Sequence, residues 1–223
     1  EKKDVRSVMG ALVYLVKTRL PEYIGASPFE IQVLTPMRKG ELGVEHLNEV
    51  LQYYLNPASE SKKEKEGRTG VFREGDKVMQ VKNNYKLEWK ITNAKGFSIE
   101  EGLGVFNGDM GIIKQINTYS ERITVVFDEN REAEYPFSSL DELELAYAIT
   151  IHKSQGSEYP AVVLPLLSGP PILCNRNLLY TAITRAQKCV AIAGRQSMVE
   201  QMIHNETEQK RYSGLNDCLK EGL

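Results

Sequence analysis

Apolar side chains recur three or four positions apart in the first twenty residues, which predicts an amphipathic helix. These positions are Val5, Val8, Met9, Leu12, Val16 and Leu20. Pro21 is expected to stop this helix, because proline cannot donate a helical hydrogen bond. The apolar run Ile31–Thr35 predicts a buried strand, and a second apolar stripe predicts a helix that ends at Asn56-Pro57. The stripe consists of Val44, Leu47, Leu51 and Leu55.

The pattern changes twice in the middle of the chain. Residues 58–70 are polar, charged and glycine-containing, which is typical of a mobile surface linker. From residue 71 to about residue 144, short apolar or alternating runs bounded by turn residues predict antiparallel strands. The candidate strands are 77–81, 110–116, 122–127 and 131–137. We therefore expect residues 71–144 to form a small antiparallel barrel or sandwich.

Helical and buried-strand patterns return after residue 144. Residues 161–165 and 189–194 are continuous apolar strands, and residues 177–186 between them have a helical pattern. Alternating strands and helices predict a parallel sheet flanked by helices. The predicted fold class is therefore α/β, with residues 1–70 and 145–223 in one α/β domain and residues 71–144 as a β-rich insert.

The composition is ordinary for a soluble globular protein, with 41% hydrophobic and 26% charged residues. No apolar run approaches the roughly 20 residues that span a bilayer, so no membrane partner is expected. Cys174, Cys189 and Cys218 are too irregularly spaced for a zinc site, and a reducing cytoplasm is expected. With a net charge of -2, any binding of nucleic acid must depend on local arrangement. The chain begins at Glu1 without methionine, and we interpret it as part of a longer protein.

Residues 150–158 bring hydroxyl, imidazole, ammonium and amide groups into one short string. The alanine-containing segment before it favours a helix that runs into the string, and a strand-to-loop transition is the alternative. On a helix, Thr150 and Ser154 would share a face, with Lys153 beside them. Hydroxyl, lysine and amide groups are common ligands of phosphate oxygens. The competing interpretation is a solvated polar turn.

Four further residues are candidates for contact with a phosphorylated ligand. Gly156 would let the backbone approach a ligand closely, and Glu158 lies where it could accept a hydrogen bond from a ribose hydroxyl. Arg185 ends a threonine-containing helical stretch, and a guanidinium group suits a doubly hydrogen-bonded phosphate. Its alternative role is a surface arginine that interacts with the helix dipole. Arg38 follows a predicted strand, at the end of the sheet where ligands of open α/β sheets gather.

Two features of the predicted insert give weaker signals. Residues 82–90 interleave lysine, asparagine and aromatic side chains, a mix that can stack bases and follow a phosphate backbone. The acidic residues around this segment favour a solvated hairpin equally. Residues 123–129 imitate the strand and acids of a Walker B motif, but we interpret residues 128–130 as a hairpin turn.

Four segments resemble the carboxy-terminal motor domain of superfamily 1 DNA helicases, in the RecD-like, Pif-related branch. Residues 35–40 (TPMRKG) resemble motif IV of that family, and residues 106–111 (FNGDMG) resemble the segment between motifs IV and V. Residues 150–158 (TIHKSQGSE) resemble motif V, and residues 179–186 (LYTAITRA) resemble motif VI. With their spacing, the segments cover most of the chain, and the match to the stand-alone bacterial RecD-like helicases is close.

The resemblance implies a RecA-like second motor domain with an SH3-like insert, and it implies a role for each candidate residue. Arg38 and Arg185 would contact the γ-phosphate of ATP, and Gly156 and Glu158 would lie by the sugar and phosphates of the nucleotide. The backbone of single-stranded DNA would be held by Thr150, His152, Lys153 and Ser154. The base of the insert, beside the DNA path, would be formed by Asn107, Gly108 and Asp109.

The sequence contains no Gly-x-x-x-x-Gly-Lys-Ser/Thr motif. The resemblance therefore implies that the phosphate-binding loop and the ligands of Mg²⁺ belong to an amino-terminal motor domain outside this chain. We expect ATP-dependent DNA helicase activity from the intact enzyme and none from this chain alone. The expected partners are single-stranded DNA, that amino-terminal domain, and recombination or repair proteins.

Two other functions remain open from the sequence. One is a passive module that binds single-stranded nucleic acid. The other is the motor subunit of a recombination nuclease complex, with the nuclease on another chain because no acidic metal cluster is apparent. Arg185 discriminates between a motor and a passive module, because the latter needs no sensor of the γ-phosphate.

Overall fold

The computed structural model describes residues 4–68, 70–93 and 97–206. The helices are α1 (Val5–Tyr14), α2 (Leu20–Ile24), α3 (Val44–Leu55), α4 (Arg176–Ile183) and α5 (Gln196–His204). A π-helical turn, Leu15–Arg19, joins α1 to α2, so the first helix does not stop at Pro21 as the sequence predicts. Pro21 lies in the first turn of α2, where the missing N–H is tolerated, and the helical segment ends instead at Gly25, with φ 67°. None of the described helices is long and apolar enough to cross a membrane.

The strands, in chain order, are β1 (Ile31–Thr35), β2 (Glu64–Glu66), β3 (Val71–Arg73), β4 (Lys77–Gln80), β5 (Asn84–Thr92), β6 (Ser98–Val105), β7 (Met110–Asn117), β8 (Arg122–Phe127), β9 (Glu132–Pro136), β10 (Leu143–Leu145), β11 (Ala148–Thr150), β12 (Tyr159–Leu166) and β13 (Ala186–Gly194). The strands form a parallel sheet and separate antiparallel sheets, which confirms the predicted α/β fold class.

The parallel sheet has the order β11-β1-β12-β13. All residues of β1 are buried, and this strand lies inside the sheet between β11 and β12. The register pairs Thr35 with Thr150 at the carboxyl ends of β1 and β11. It pairs Tyr159 with Ala186 at the amino ends of β12 and β13. These two ends of the sheet carry different groups of candidate site residues.

The larger antiparallel sheet has the order β10-β4-β7-β8-β9-β5-β6 and lies in sequence between β1 and β11. The residues of β4 are all buried rather than alternating, and this strand lies inside the sheet between β10 and β7. Asp128–Asn130 turns the hairpin between β8 and β9, with the Phe127 N–H donating to the Arg131 carbonyl at 2.8 Å. The hairpin interpretation of residues 128–130 is therefore confirmed, and β8 is not a Walker B strand.

The segment 58–70 is not an unstructured linker throughout. Its middle forms β2, which pairs antiparallel with β3. Glu64 on β2 accepts a hydrogen bond from Arg73 Nε at 2.6 Å. Composition alone favoured a linker, because the tertiary partner that stabilises this short strand is not visible in the local sequence. The predicted boundaries at residues 70 and 145 stay predictions.

Buried polar groups link the antiparallel sheet to the α/β layer. The carboxylate of Asp76 accepts hydrogen bonds from Gln52 Nε2 at 2.6 Å, Asn56 Nδ2 at 2.7 Å and the Tyr147 hydroxyl at 2.9 Å. Burial raises the pKa of Asp76, and these hydrogen bonds partly offset the rise. Next to it, Lys77 Nζ donates to the Phe29 carbonyl at 2.6 Å. These bonds fix the position of the insert relative to the site described next.

Candidate functional site

The polar string 150–158 follows a strand rather than a helix. β11 ends at Thr150, and a 3₁₀ turn, Ile151–Ser154, follows it. The Thr150 hydroxyl accepts a hydrogen bond from the Lys153 N–H at 3.3 Å and so caps this turn. The favoured helix is wrong and the strand-to-loop alternative is right, because pairing with β1 in the buried sheet overrides the helical propensity of alanine.

The 3₁₀ turn leaves two of the predicted DNA ligands accessible to solvent and buries a third. His152 is exposed, and Lys153 is partly exposed. Ser154 is fully buried, and its hydroxyl donates to the Ile151 carbonyl at 2.7 Å. Ser154 therefore does not share a ligand-facing surface with Thr150, and its geometry supports a structural role in the turn.

Arg38 lies in the loop after β1 and forms ion pairs with two carboxylates. Its Nη2 lies 2.6 Å from Glu144 Oε1, and its Nε lies 3.5 Å from Glu45 Oε1. Lys153 Nζ donates to the other oxygen of Glu144 at 3.0 Å. Burial raises the pKa of Glu144, but the hydrogen bonds and charges of Arg38 and Lys153 outweigh burial, so the pKa lies below its ordinary value. Sequence reasoning missed Glu144, whose local pattern is only one acid between two leucines.

Arg185 lies between the end of α4 and the start of β13. Its guanidinium donates to the Ser157 carbonyl at 3.2 Å, to the Thr181 carbonyl at 3.3 Å and to the Thr184 hydroxyl at 3.3 Å. Its own carbonyl accepts from the Tyr159 N–H at 2.8 Å. Within the described part of the chain, Arg185 forms no ion pair with a carboxylate. Its charge is oriented by uncharged groups and is not neutralised.

Gly156 and Glu158 lie on the same loop as Ser157, the residue that Arg185 contacts. Gly156 is exposed and has φ 88°, a conformation that favours glycine. Glu158 is exposed and accepts a hydrogen bond from Gln187 Nε2 at 3.3 Å. The carboxylate therefore keeps free acceptor capacity toward solvent.

The sheet register separates Arg38 from Arg185. Arg38 follows the carboxyl end of β1, whereas Arg185 precedes the amino end of β13. Ile31 pairs with Ala161, so Tyr159 and its partner Ala186 lie beside residue 29 of the first strand's line, six residues before Thr35. Along the strands this separation is about 20 Å, at ~3.3 Å per residue. The structure thus brings Arg38 together with Lys153 and brings Arg185 together with Ser157. The shared contact of the two arginines with the γ-phosphate stays a prediction.

Asn107, Gly108 and Asp109 form the turn between β6 and β7. The Asn107 N–H donates to Asn83 Oδ1 at 2.9 Å, and Asp109 Oδ2 accepts from the Phe106 N–H at 3.1 Å. Gly108 has φ 103°, which the turn requires. Gly108 and Asp109 line a cleft with Lys77 and residues 157–160, so this turn lies beside the Arg185 group rather than beside Lys153.

Two exposed aromatic rings, Phe106 in this turn and Tyr85 on β5, pack against each other beside it. Tyr85 and Phe106 pack edge to face, with ring centroids 5.6 Å apart, and are 67% and 42% exposed. Residues 82–86 and 106–109 therefore form one surface. The lysine, asparagine and aromatic segment of the insert thus packs against the turn between β6 and β7. Among residues 4–68, 70–93 and 97–206, no group of three or more histidine, cysteine, aspartate or glutamate side chains could hold a metal ion.

Family models match two parts of the chain. Residues 47–127 match the SH3 domain of ATP-dependent RecD-like DNA helicases, and residues 145–193 match the UvrD-like helicase C-terminal domain. The chain is 39% identical to the ATP-dependent RecD2 DNA helicase of Deinococcus radiodurans over 75% of this chain and 20% of the relative. It is 30% identical to the RecBCD enzyme subunit RecD of Mycolicibacterium smegmatis over 86% of this chain and 29% of the relative. The chain thus spans less than a third of the length of either relative.

Solved structures show the same fold. A Pif1 helicase from Bacteroides in complex with ADP-AlF3 and ssDNA aligns with 95% of this chain and 49% of its own, with a TM-score of 0.51 and 20% identity. A second structure, Bacteroides Pif1 bound to ssDNA, aligns with 96% of this chain and 54% of its own, with a TM-score of 0.50 and 15% identity. At these identities the likeness concerns the fold alone.

Proposed function

The chain belongs to the superfamily 1 RecD-like helicases as part of their carboxy-terminal region, and on that premise we propose that it is one half of an ATP-dependent DNA helicase or translocase. The observation that carries the proposal is Arg185. Its guanidinium is oriented by two carbonyls and a hydroxyl and has no carboxylate partner among the described residues. An oriented, uncompensated arginine is suited to an anionic ligand that arrives from another domain.

In this proposal, the nucleotide lies against the Arg185 end of the sheet. Arg185 contacts the γ-phosphate of ATP, and Glu158 accepts a hydrogen bond from the ribose. Gly156 lets the backbone approach the nucleotide. In this proposal, the phosphate-binding loop and the ligands of Mg²⁺ come from an amino-terminal motor domain, since the printed sequence contains no Gly-x-x-x-x-Gly-Lys-Ser/Thr motif. Closure of the two domains around ATP brings Arg185 to the phosphate, and hydrolysis releases it.

Single-stranded DNA lies against the opposite end of the sheet. Thr150, His152 and Lys153 follow β11 there, and Arg38 follows β1. This arrangement supports contact of Arg38 with the DNA backbone rather than with the γ-phosphate. From there the proposed DNA path continues past residues 157–160 to the adjoining turn with Asn107, Gly108 and Asp109. Tyr85 and Phe106 offer exposed platforms for bases beside that turn.

The proposed partners are single-stranded DNA, the amino-terminal motor domain, and recombination or repair proteins in the cytoplasm. A passive binding module has no need of an oriented arginine that lacks a carboxylate partner among the described residues, so this geometry supports the motor. A motor subunit of a nuclease complex uses the same site, and the two possibilities differ only in the partner chains.

The test is reconstitution of ATP hydrolysis. The 223-residue chain is expected to bind single-stranded DNA weakly, with an affinity that falls as salt rises, and to hydrolyse no ATP alone. Addition of the amino-terminal domain, with its phosphate-binding loop, is expected to produce DNA-stimulated hydrolysis. Turnover by the chain alone would contradict the assignment of the nucleotide site to an interface between two domains.

A further inference from the structure

Glu144 joins two cations that the sequence places 115 positions apart, one on each of two loops. Its Oε1 accepts from Arg38 Nη2 at 2.6 Å, and its Oε2 accepts from Lys153 Nζ at 3.0 Å. The side chain of Glu144 is 19% exposed, against 46% for Arg38 and 29% for Lys153. The carboxylate is therefore the most buried member of the three, and the cations are the members that face solvent.

Glu144 lies where the antiparallel sheet meets the parallel sheet. Its strand, β10, pairs with β4, with Glu144 opposite Met79. The Ala146 N–H donates to the Lys77 carbonyl at 2.9 Å, and β11 of the parallel sheet begins two residues later. The backbone of Glu144 is thus held by the insert, whereas its side chain is held by loops of the α/β layer.

The charges explain why a carboxylate is needed at this position. Two nitrogens on opposite oxygens of one carboxylate lie about 5 Å apart at normal hydrogen-bond lengths. Without an intervening anion, two cations at that distance repel each other and move apart into solvent. Glu144 leaves these three groups with a net charge of one positive unit and holds both donor groups in place. The more exposed Glu45, 3.5 Å from Arg38 Nε, also offsets the charge of Arg38, but water screens this pair more strongly. An anion that binds here contacts two cations that are already ordered, so binding costs less side-chain conformational entropy.

We propose that Glu144 is a positioning residue for single-stranded DNA, which holds Arg38 and Lys153 side by side so that both contact the phosphate backbone. The inference rests on the proposed function, because it takes DNA as the ligand of this end of the sheet. Glu144 itself does not contact DNA in this account. It acts through the two cations.

Glu144→Gln separates positioning from simple electrostatics. If Glu144 only contributed a negative charge, its removal would strengthen binding to a polyanion. If it positions the cations, the substituted amide can hold only one of them, because it has a single acceptor oxygen. Its NH₂ group faces the other cation, which has no acceptor there and is released. We expect Glu144→Gln to weaken the binding of oligo(dT) by roughly tenfold, as measured by fluorescence anisotropy at fixed salt. Glu144→Asp, which keeps the charge, is expected to recover part of the affinity.

Glu64→Gln is the matched control, because Glu64 also accepts from an arginine at 2.6 Å but lies on β2 and outside the proposed site. We expect its affinity for oligo(dT) to equal that of the wild type. In a background that carries Arg38→Ala and Lys153→Ala, we expect Glu144→Gln to have no further effect on DNA affinity. A merely structural role would lower the unfolding temperature in every background and would not depend on those two cations.

The outcomes separate this inference from the proposed function. If the wild-type chain binds oligo(dT) and Glu144→Gln binds it equally or more tightly, the positioning role is wrong and the proposed function stands. If neither the chain nor the complete enzyme binds oligo(dT), the proposed function fails, and the inference fails with it. If Glu144→Gln does not fold, Arg38→Ala and Lys153→Ala decide without a change at Glu144. Non-additive losses support a jointly held pair, and additive losses overturn it.

Discussion

Arg185 Nη1 donates to the main-chain carbonyl of Ser157 at 3.2 Å, and this bond joins the end of α4 to the loop that carries Gly156 and Glu158. Among the described residues, the guanidinium has no carboxylate partner. It lies beside the loop that resembles the nucleotide-facing half of motif V. Arg38, by contrast, shares Glu144 with Lys153 at the other end of the sheet. The two arginines therefore differ in location and in charge compensation, and they are expected to differ in function.

The first prediction concerns Arg38. We expect Arg38→Ala to weaken the binding of single-stranded DNA by roughly tenfold and to reduce the salt dependence by about one phosphate contact. ATP turnover of the complete enzyme at saturating DNA should change little, because the proposed nucleotide site lies at the other end of the sheet. Titration of ATPase activity with oligo(dT) checks both values. Lys39→Ala, at the exposed neighbouring position, is the control. A loss of turnover by Arg38→Ala at saturating DNA would indicate that Arg38 contacts the nucleotide instead.

The second prediction concerns Asp76 and the attachment of the insert. Asp76→Ala removes the acceptor for Gln52, Asn56 and Tyr147 in a buried site. Because the buried Tyr147 hydroxyl and the Arg73 N–H would lose this acceptor, and Gln52 and Asn56 would each lose one of two acceptors, the free energy of unfolding should fall by about 2–4 kcal/mol. Urea denaturation measures the change. Asp141→Ala, on a surface ion pair, should cost less than about 1 kcal/mol, and equal losses for the two variants would refute the importance of the buried cluster.

The third prediction is a pH dependence that comes from Lys77. Burial lowers the pKa of Lys77 from 10.5 to about 8 in the folded protein. Between these two values the unfolded chain binds more protons than the folded chain, so the free energy of unfolding contributed by Lys77 rises with pH. Lys77→Met should remove this rise. Urea denaturation between about pH 8 and pH 10 tests it through the difference between wild type and variant, and parallel pH profiles would contradict the lowered pKa.

The fourth prediction compares two exposed glycines whose added Cβ atoms would meet no neighbour within 4 Å. Gly156 has φ 88°, so Gly156→Ala should destabilise the fold by about 1–2 kcal/mol and disturb the loop beside Arg185. Gly10 lies within the helix α1, so Gly10→Ala should stabilise the fold by about 0.5–1 kcal/mol. Thermal unfolding of both variants gives the two signs. Stabilisation by Gly156→Ala would show that this loop does not need a left-handed residue.

The sequence predicted the elements whose periodicity reflects burial. β1, β8 and α3 lie at or within one residue of the predicted positions, because each buries a continuous or regularly spaced apolar face. The segment before residue 150 was predicted as a helix, because alanine favours helices locally. Its parallel pairing with β1, more than a hundred residues away in the chain, is a tertiary contact that local propensity does not contain.

The candidate site was predictable in composition but not in arrangement. Arg38, Lys153 and Arg185 could be selected for their chemistry, but only the structure shows that Arg38 and Lys153 share Glu144 whereas Arg185 contacts Ser157. The buried Ser154 hydroxyl donates to the Ile151 carbonyl within its own turn. The carboxylate of Glu144 binds two cations, Arg38 and Lys153, that lie on other loops. Both features depend on three-dimensional contacts.

The central claim is that Arg185 contacts the γ-phosphate of ATP from across a domain interface, and DNA-stimulated ATP hydrolysis by the complete enzyme tests it most directly. Wild type, Arg185→Ala and the control Arg176→Ala, at the opposite end of α4, are compared at saturating oligo(dT), with DNA affinity measured for each. The account predicts that Arg185→Ala lowers turnover by about a thousandfold or more while DNA affinity is retained, and that Arg176→Ala changes neither. Turnover by Arg185→Ala equal to that of the wild type would contradict the account.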